Sequence, residues 1–452
     1  ISIDSLRGDH LSANGYRSAT NPDRATSPRM DALASDGVRF ERFLSSTSWT
    51  LPAHVTMLTG LSDPVHGVTD IGQRLDPMRT TLAEAFGAAG YETTGFFSGP
   101  NLHPYYGFAH GFDTYENCAS YTVGLDAFGA TISPAMIDIH ERSHLDISGP
   151  RVVDAWGKWL ENRESVDEPW FSFVHLWDVH YDFLPPRDFD VFDPAYRGAI
   201  DGTRFLASEK GGTLSPRDIR HWLALYDGEI LSVDAQIGAI LDKLDALGLA
   251  ENTLVVVTAD HGDEFKEHGA KGHQKTLHDE VVRIPLIVRW PGRIPAGTVV
   301  GGTAGLVAIA PTLCDLAGLP PLAESRAESL RPMWEGQDAD RPVLMSLHLP
   351  SRGLHVTAVQ QGDTKVLWDE NSERGAIYDL GSDPKEVSPR WVKSLSEAGA
   401  PGKLLVRMMD QARRHEEDLA VTEGYQGQAL PDEVIAELER LGYIDPGSTE
   451  ED

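Results

Sequence analysis

Over its first three quarters the chain alternates short β-branched runs with stretches of helical periodicity, which restricts it to few architectures. The run Thr253-Leu254-Val255-Val256-Val257-Thr258 is apolar without alternation, as a strand covered on both faces of a parallel sheet requires. Val282 to Trp290 and Trp170 to Leu176 read the same way. Helical patterns stand between such runs: Pro28 to Asp36, Thr81 to Ala89, Val152 to Asn162 and Ile219 to Leu247. In the last of these, Leu225, Ile230, Ile237, Ile240, Leu241 and Leu244 recur at helical spacing. The alternation predicts an α/β fold, a mostly parallel sheet sandwiched by helices.

The pattern changes after about residue 335. Val343 to Leu347, Leu354 to Gln360 and Lys365 to Trp368 read as short strands joined by turn residues, an antiparallel meander. Helical patterns follow at 401–420 and 431–441. The expectation is a large α/β domain over 1–335, a smaller C-terminal α+β domain over 336–445, and a disordered tail over 446–452. A chain of 452 residues is long enough for that pair of domains.

A formal net charge of −30 argues against nucleic acid as the main partner, since phosphate backbones attract basic surfaces. An acidic surface also repels small anions at long range. An anionic substrate would therefore need a local positive centre, and a bound metal ion supplies one. No run of about 18 apolar residues occurs, so no membrane span is expected and the chain reads as soluble. Two distant cysteines, Cys118 and Cys314, make neither a disulfide framework nor a zinc cluster. The sequence opens inside a strand without an initiator Met, so a removed leader is compatible with it, and cytoplasm and periplasm both stay open. A homo-oligomer is left open as well.

Ligands of open α/β sheets sit at the carboxyl ends of the strands. Asp4 ends the first apolar run, and Asp260-His261 ends the run from Leu254. Two carboxylates and an imidazole delivered to one edge suit zinc or manganese better than calcium or magnesium. The segment from Thr50 to Gly60 reads as a short helix, with Thr50 as its cap, Pro52 in the first turn and Gly60 as the stop. A hydroxyl at a helix N-terminus is also placed to attack an anionic ester, because free backbone N–H groups steady negative oxygens there.

Ile3-Asp4-Ser5-Leu6-Arg7-Gly8-Asp9-His10, Thr50-Leu51-Pro52-Ala53-His54 and Thr258-Ala259-Asp260-His261-Gly262-Asp263-Glu264 together resemble the sulfatase branch of the alkaline phosphatase superfamily. Further segments that look like that family's follow in order, among them His66-Gly67-Val68, Arg283-Ile284-Pro285-Leu286-Ile287 and Ile377-Tyr378-Asp379-Leu380. The resemblance implies one divalent metal ion held by Asp4, Thr50, Asp260 and His261, with Thr50 as nucleophile. It implies that His180 and His273 contact the bound anion or the leaving group. His54, Asn101 and His103 are candidate substrate contacts.

The likeness breaks where sulfatases carry the Cys or Ser that is oxidised to formylglycine. Thr50 stands there, His54 replaces an arginine, and Ser5 replaces an aspartate. Thr-x-Pro-x-His resembles instead the nucleotide pyrophosphatase/phosphodiesterases, which use an unmodified threonine and two metal ions. A pool of Asp178, His180, His273 and His278 leaves a second metal open. The leading expectation is a phosphoesterase of small anionic substrates, a diesterase or a promiscuous enzyme, working through a Thr50 phosphoenzyme. A sulfatase that dispenses with formylglycine and an inactive anion-binding relative are the alternatives.

Overall fold

The computed structural model describes residues 1–119, 147–165, 168–206, 214–337 and 339–419. The central strand of the large sheet, β1 (Ser2–Ile3), lies between β5 (Trp170–Leu176) and β6 (Val255–Ala259), parallel to both. Beyond β5 come β3 (Glu92–Phe97) and β4 (Thr114–Asn117), also parallel. Beyond β6 come β10 (Leu286–Arg289), β2 (Val38–Leu44) and β11 (Thr298–Gly305).

One expectation about this sheet needs correction. The run from Val282 to Trp290 is not a single parallel strand. Pro285 divides it into β9 (Arg283–Ile284) and β10, because proline has no N–H for the ladder. β10 runs antiparallel to both β6 and β2. The reason lies in the connection. After β6 the chain makes only a small ribbon, β7 (Glu264–Phe265) with β8 (Lys271–Gly272), and a short helix Asp279–Val282. No long crossover helix carries it back to the opposite edge, so it re-enters the sheet from the carboxyl end.

The helices Pro28–Ser35, Leu82–Ala88, Gly149–Glu161 and Pro216–Ala246 fall within a few residues of the sequence expectation. Two of them begin at full capping boxes, Thr81 with Glu84 and Ser215 with Asp218. Among the described residues no helix is long and apolar enough to cross a membrane.

The second sheet is antiparallel throughout: β12 (Val343–Leu349), β13 (Leu354–Gln361), β14 (Thr364–Asp369), β15 (Arg374–Asp379) and β16 (Arg390–Val392). It has two strands more than the three expected. The helix Ala400–Asp418 buries Leu405 against Val359, Val366 and Val392 of this sheet. Val343, Met345 and Leu347 belong to the same apolar core as the large sheet. The two sheets are thus separate ladders on a continuous core. The helix expected at 431–441 and the tail 446–452 lie outside the described residues.

Glu229, on the long helix Pro216–Ala246, is fully enclosed and accepts a hydrogen bond from the Leu184 N–H at 2.8 Å. Burial first, and Asp178 second, push its carboxyl well above the usual range. A raised folded-state pKa gives stability that is complete below the unfolded value and is lost as pH rises through the folded one. Glu229→Gln keeps the acceptor and removes the titration. Its melting temperature should match the parent's at about pH 4 and exceed it at pH 8, which a thermal-shift series will show.

Candidate active site

The register of the sheet assembles the site. Ile3 is level with Leu176 on one side and Ala259 on the other. Asp4 and Asp260-His261 therefore leave the sheet at the same edge, one strand apart. Ser5 turns there with a positive φ of 55°. That turn sends its N–H to Asp260 Oδ1 at 3.1 Å and its hydroxyl to Asp4 Oδ1 at 2.8 Å. Ser5, in the place of a family aspartate, thus clamps both carboxylates.

Thr50 arrives from the helix Thr50–Thr59. Its hydroxyl does not cap that helix, contrary to expectation. The cap position is Trp49, with no side-chain cap bond, and Thr50 is the first helical residue. Its Oγ1 lies 3.2 Å from His261 Nε2 and 3.4 Å from Asp4 Oδ2 instead. His261 Nε2 is 3.4 Å from Asp260 Oδ2 and 4.0 Å from Asp4 Oδ1. The four predicted metal ligands thus converge, and all are buried.

Their electrostatics fit a dication. Burial raises the Asp4 carboxyl to about 6 against the pull of His261 and Ser5. Asp260 is raised as well, by burial first and by Asp4 next. For His261 burial opposes the charged form, but Asp260, Asp4 and Asp263 outweigh it and the net shift is upward. Asp260 Oδ2 is buried without a hydrogen-bond partner. Two crowded carboxylates, one orphan oxygen and an imidazole nitrogen aimed at the same point are a donor set for a hard or borderline divalent ion.

The remaining predicted residues separate into two groups. His273 and His180 come together beside the ligands: the His273 ring is 4.3 Å from that of His261 and 5.2 Å from that of His180. His273 Nδ1 contacts Asp263 Oδ1 at 2.8 Å, and His180 stacks on Trp177 at 3.9 Å. His54, by contrast, is not a substrate contact. It is one helical turn beneath Thr50, with Nδ1 on the Thr50 carbonyl and Nε2 on the Ser2 hydroxyl, each at 2.9 Å. Both ring nitrogens are used, and burial lowers its pKa to about 3. Asn101 is buried in the 3-10 turn Pro100–Leu102, with Oδ1 unpartnered. His103 follows that turn and accepts the Tyr105 N–H at 3.1 Å.

Of the pool for a second metal, Asp178 accepts the N–H groups of Ser148 and Gly149 at the start of the helix Gly149–Glu161. His278 lies against Tyr378 of the small sheet. Only His180 and His273 are at the site. The other close set there is His261, Asp263 and His273.

Three contributors escaped sequence reasoning. Asp263 orients His273, and burial raises its carboxyl to about 7. His175 Nε2 stands 3.5 Å from Asp4 Oδ2 beneath the ligands. Arg7 braces the loop by donating to the Asp263 carbonyl at 3.1 Å while it pairs with Asp9 and Glu267. Arg7 and Asp263 stand inside the quoted motifs, but their roles could not be read there because they act through other side chains.

Gly262 follows His261 because a neighbouring segment passes too close for a side chain. A Cβ there would meet the Glu280 carbonyl oxygen at 2.3 Å and Arg7 Cγ at 2.8 Å. Gly262→Ala should displace Asp260-His261 and reduce metal affinity at least about tenfold, on the scale of lost supporting contacts. Isothermal titration with Mn²⁺ or Zn²⁺ measures this.

The chain has relatives among known proteins. The sulfatase family model matches residues 1–319, and the model of the N-sulphoglucosamine sulphohydrolase C-terminal region matches 267–399. An N-acetylglucosamine-6-O-sulfatase of Bacteroides thetaiotaomicron is 23% identical, over 86% of this chain and 82% of its own. An ulvan-active sulfatase of Formosa agariphila is 27% identical, over 78% of this chain and 68% of its own. The solved phosphonate monoester hydrolase of Agrobacterium radiobacter shares the fold with a TM-score of 0.70 at 24% identity, covering 95% of this chain and 99% of that one. With its Asp4, Thr50, Asp260 and His261 gathered at the carboxyl edge of a mostly parallel sheet, the chain belongs to the sulfatase family and is a hydrolase acting on ester bonds.

Proposed function

We propose that the chain hydrolyses small anionic esters by attack of the Thr50 hydroxyl, and that sulfate esters are the first substrate class to consider. The curated relatives are named as sulfatases, which favours sulfate over the phosphodiesters expected from the sequence. The observation that carries the reading is the placement of Thr50 Oγ1 against His261 and Asp4 rather than in a helix cap.

A divalent ion held by Asp4, Asp260, His261 and Thr50 Oγ1 would lower the hydroxyl's pKa and neutralise charge on the ester oxygens. The protein's own groups do the rest. Thr50 gives up its hydroxyl proton to solvent, its Oγ1 bonds to the central sulfur or phosphorus, and the bond to the ester oxygen breaks. His273, oriented by Asp263, or its neighbour His180 donates a proton to the departing oxygen. Water then attacks the same central atom, releases the inorganic anion and restores the Thr50 hydroxyl. Asn101 and His103, from the turn packed beside the nucleophile helix, are proposed to meet the substrate's organic part.

A second reading, hydrolysis of phosphate esters, is favoured by Thr50 itself. Threonine cannot be oxidised to an aldehyde, and attack at phosphorus needs only a plain hydroxyl. One preparation loaded with Mn²⁺ or Zn²⁺ should be offered aryl sulfate, aryl phosphate monoester and aryl phosphodiester. Highest kcat/KM on aryl sulfate supports the first reading, and highest on a phosphate ester the second. No turnover of any ester by metal-loaded protein would sink both and favour an inactive relative.

A further inference from the structure

A second buried cluster lies where the large domain meets the small sheet. His268 comes from the turn between β7 and β8, Glu280 from the short helix Asp279–Val282, and Glu386 from the segment after β15. One ligand atom from each falls within 4.8 Å of the other two. Glu280 is 9% exposed and Glu386 is 2% exposed. His268 Nε2 stands 3.3 Å from Glu280 Oε1. Glu280 Oε2 has no hydrogen-bond partner. Buried polar atoms left in this way are costly and rare, and an ion in their midst is one remedy.

The charges point the same way. Three carboxylates meet here: Asp279, Glu280 and Glu386. The cation among them is Lys365, whose Nζ is 2.9 Å from both Asp279 Oδ1 and Glu386 Oε1. Two negative charges are left over. The oxygens of nearby Glu264 are already taken by the N–H groups of His268 and Ala270 and by the Thr276 hydroxyl. Protonating His268 would offset one charge. Its ring stacks at 3.6 Å on that of His278, so protonating both rings would set like charges face to face. Glu264 adds a further negative charge to the same neighbourhood, and a dication held here would offset two of these charges.

We propose that His268, Glu280 and Glu386 bind a divalent transition-metal ion of the zinc type, distinct from the ion of the nucleophile site. An imidazole nitrogen with two carboxylate oxygens suits that ion. The site joins the two sheets, because Glu386 belongs to the small domain and the other two ligands belong to the large one. It acts as a clamp between them.

The test is metal content of the full chain after zinc loading and dialysis. Glu280→Gln, close in shape to the parent, should lose one equivalent of zinc per chain. The same substitution in an Asp260→Ala background should take zinc from one equivalent to none. Cobalt loaded into Asp260→Ala should give visible absorption bands that Glu280→Gln removes. Equal metal content with and without Glu280→Gln, in either background, overturns the proposal and leaves His268 and Glu280 as an ion pair.

Discussion

Thr50→Ala should lower turnover of every substrate by about four orders of magnitude, the scale seen when an enzyme loses its nucleophile but keeps its binding groups. Thr50→Ser should retain measurable activity, because the hydroxyl stays on the first residue of the same buried helix. The folded state should not suffer. Thr50 Oγ1 caps nothing, so its removal costs no helix bond. Steady-state kinetics with a parallel thermal-shift measurement separates chemistry from folding. Unchanged kcat in Thr50→Ala would mean that water, not Thr50, attacks the ester.

Asp260→Asn should have the second-largest effect, with opposite signs in the two metal states. Asp4, its neighbour, is raised from 3.8 to about 6, so ionising it in the metal-free fold costs about 3 kcal/mol at neutral pH. Stability from such a group is complete below pH 4 and is lost as pH rises through 6. Metal-free parent protein should therefore melt at falling temperature from pH 4 to pH 7. Asp260 is itself raised, by burial first and by Asp4 next, so Asp260→Asn removes a buried charge and without metal should melt higher than the parent at pH 8. With metal the order reverses, because the variant has lost a charged ligand and its turnover collapses. Calorimetry with and without EDTA reads both signs. A variant that melts lower than the parent in EDTA at pH 8 would refute the electrostatic account.

That Asp4 and Asp260-His261 would meet was legible because it depends on backbone order. Asp4 and Asp260-His261 end apolar runs, and parallel neighbours must end at one edge. His54 was misread for a geometric reason. Four residues after Thr50 is the same helix face, but one turn, about 5.4 Å, further from the N-terminus and so beneath the site. The antiparallel β10 was hidden because a buried run has no direction written in it. Only the missing crossover helix between 260 and 282 reveals it. Asp263 and His175 were illegible since their effect passes through His273 and Asp4. Thr50's freedom from capping turned on a single residue's backbone, at the margin where helix starts are hardest to fix.

All ten residues of the helix Thr50–Thr59 are buried, and its first turn is pinned below by His54. For anyone wishing to redirect the enzyme to another ester, the attacking half is therefore closed to redesign: a change of volume there has nowhere to go. The half-exposed Tyr181, whose ring lies 5.3 Å from that of His273, is a more forgiving position. Libraries confined to such positions should change which ester is chosen while leaving the attack itself intact.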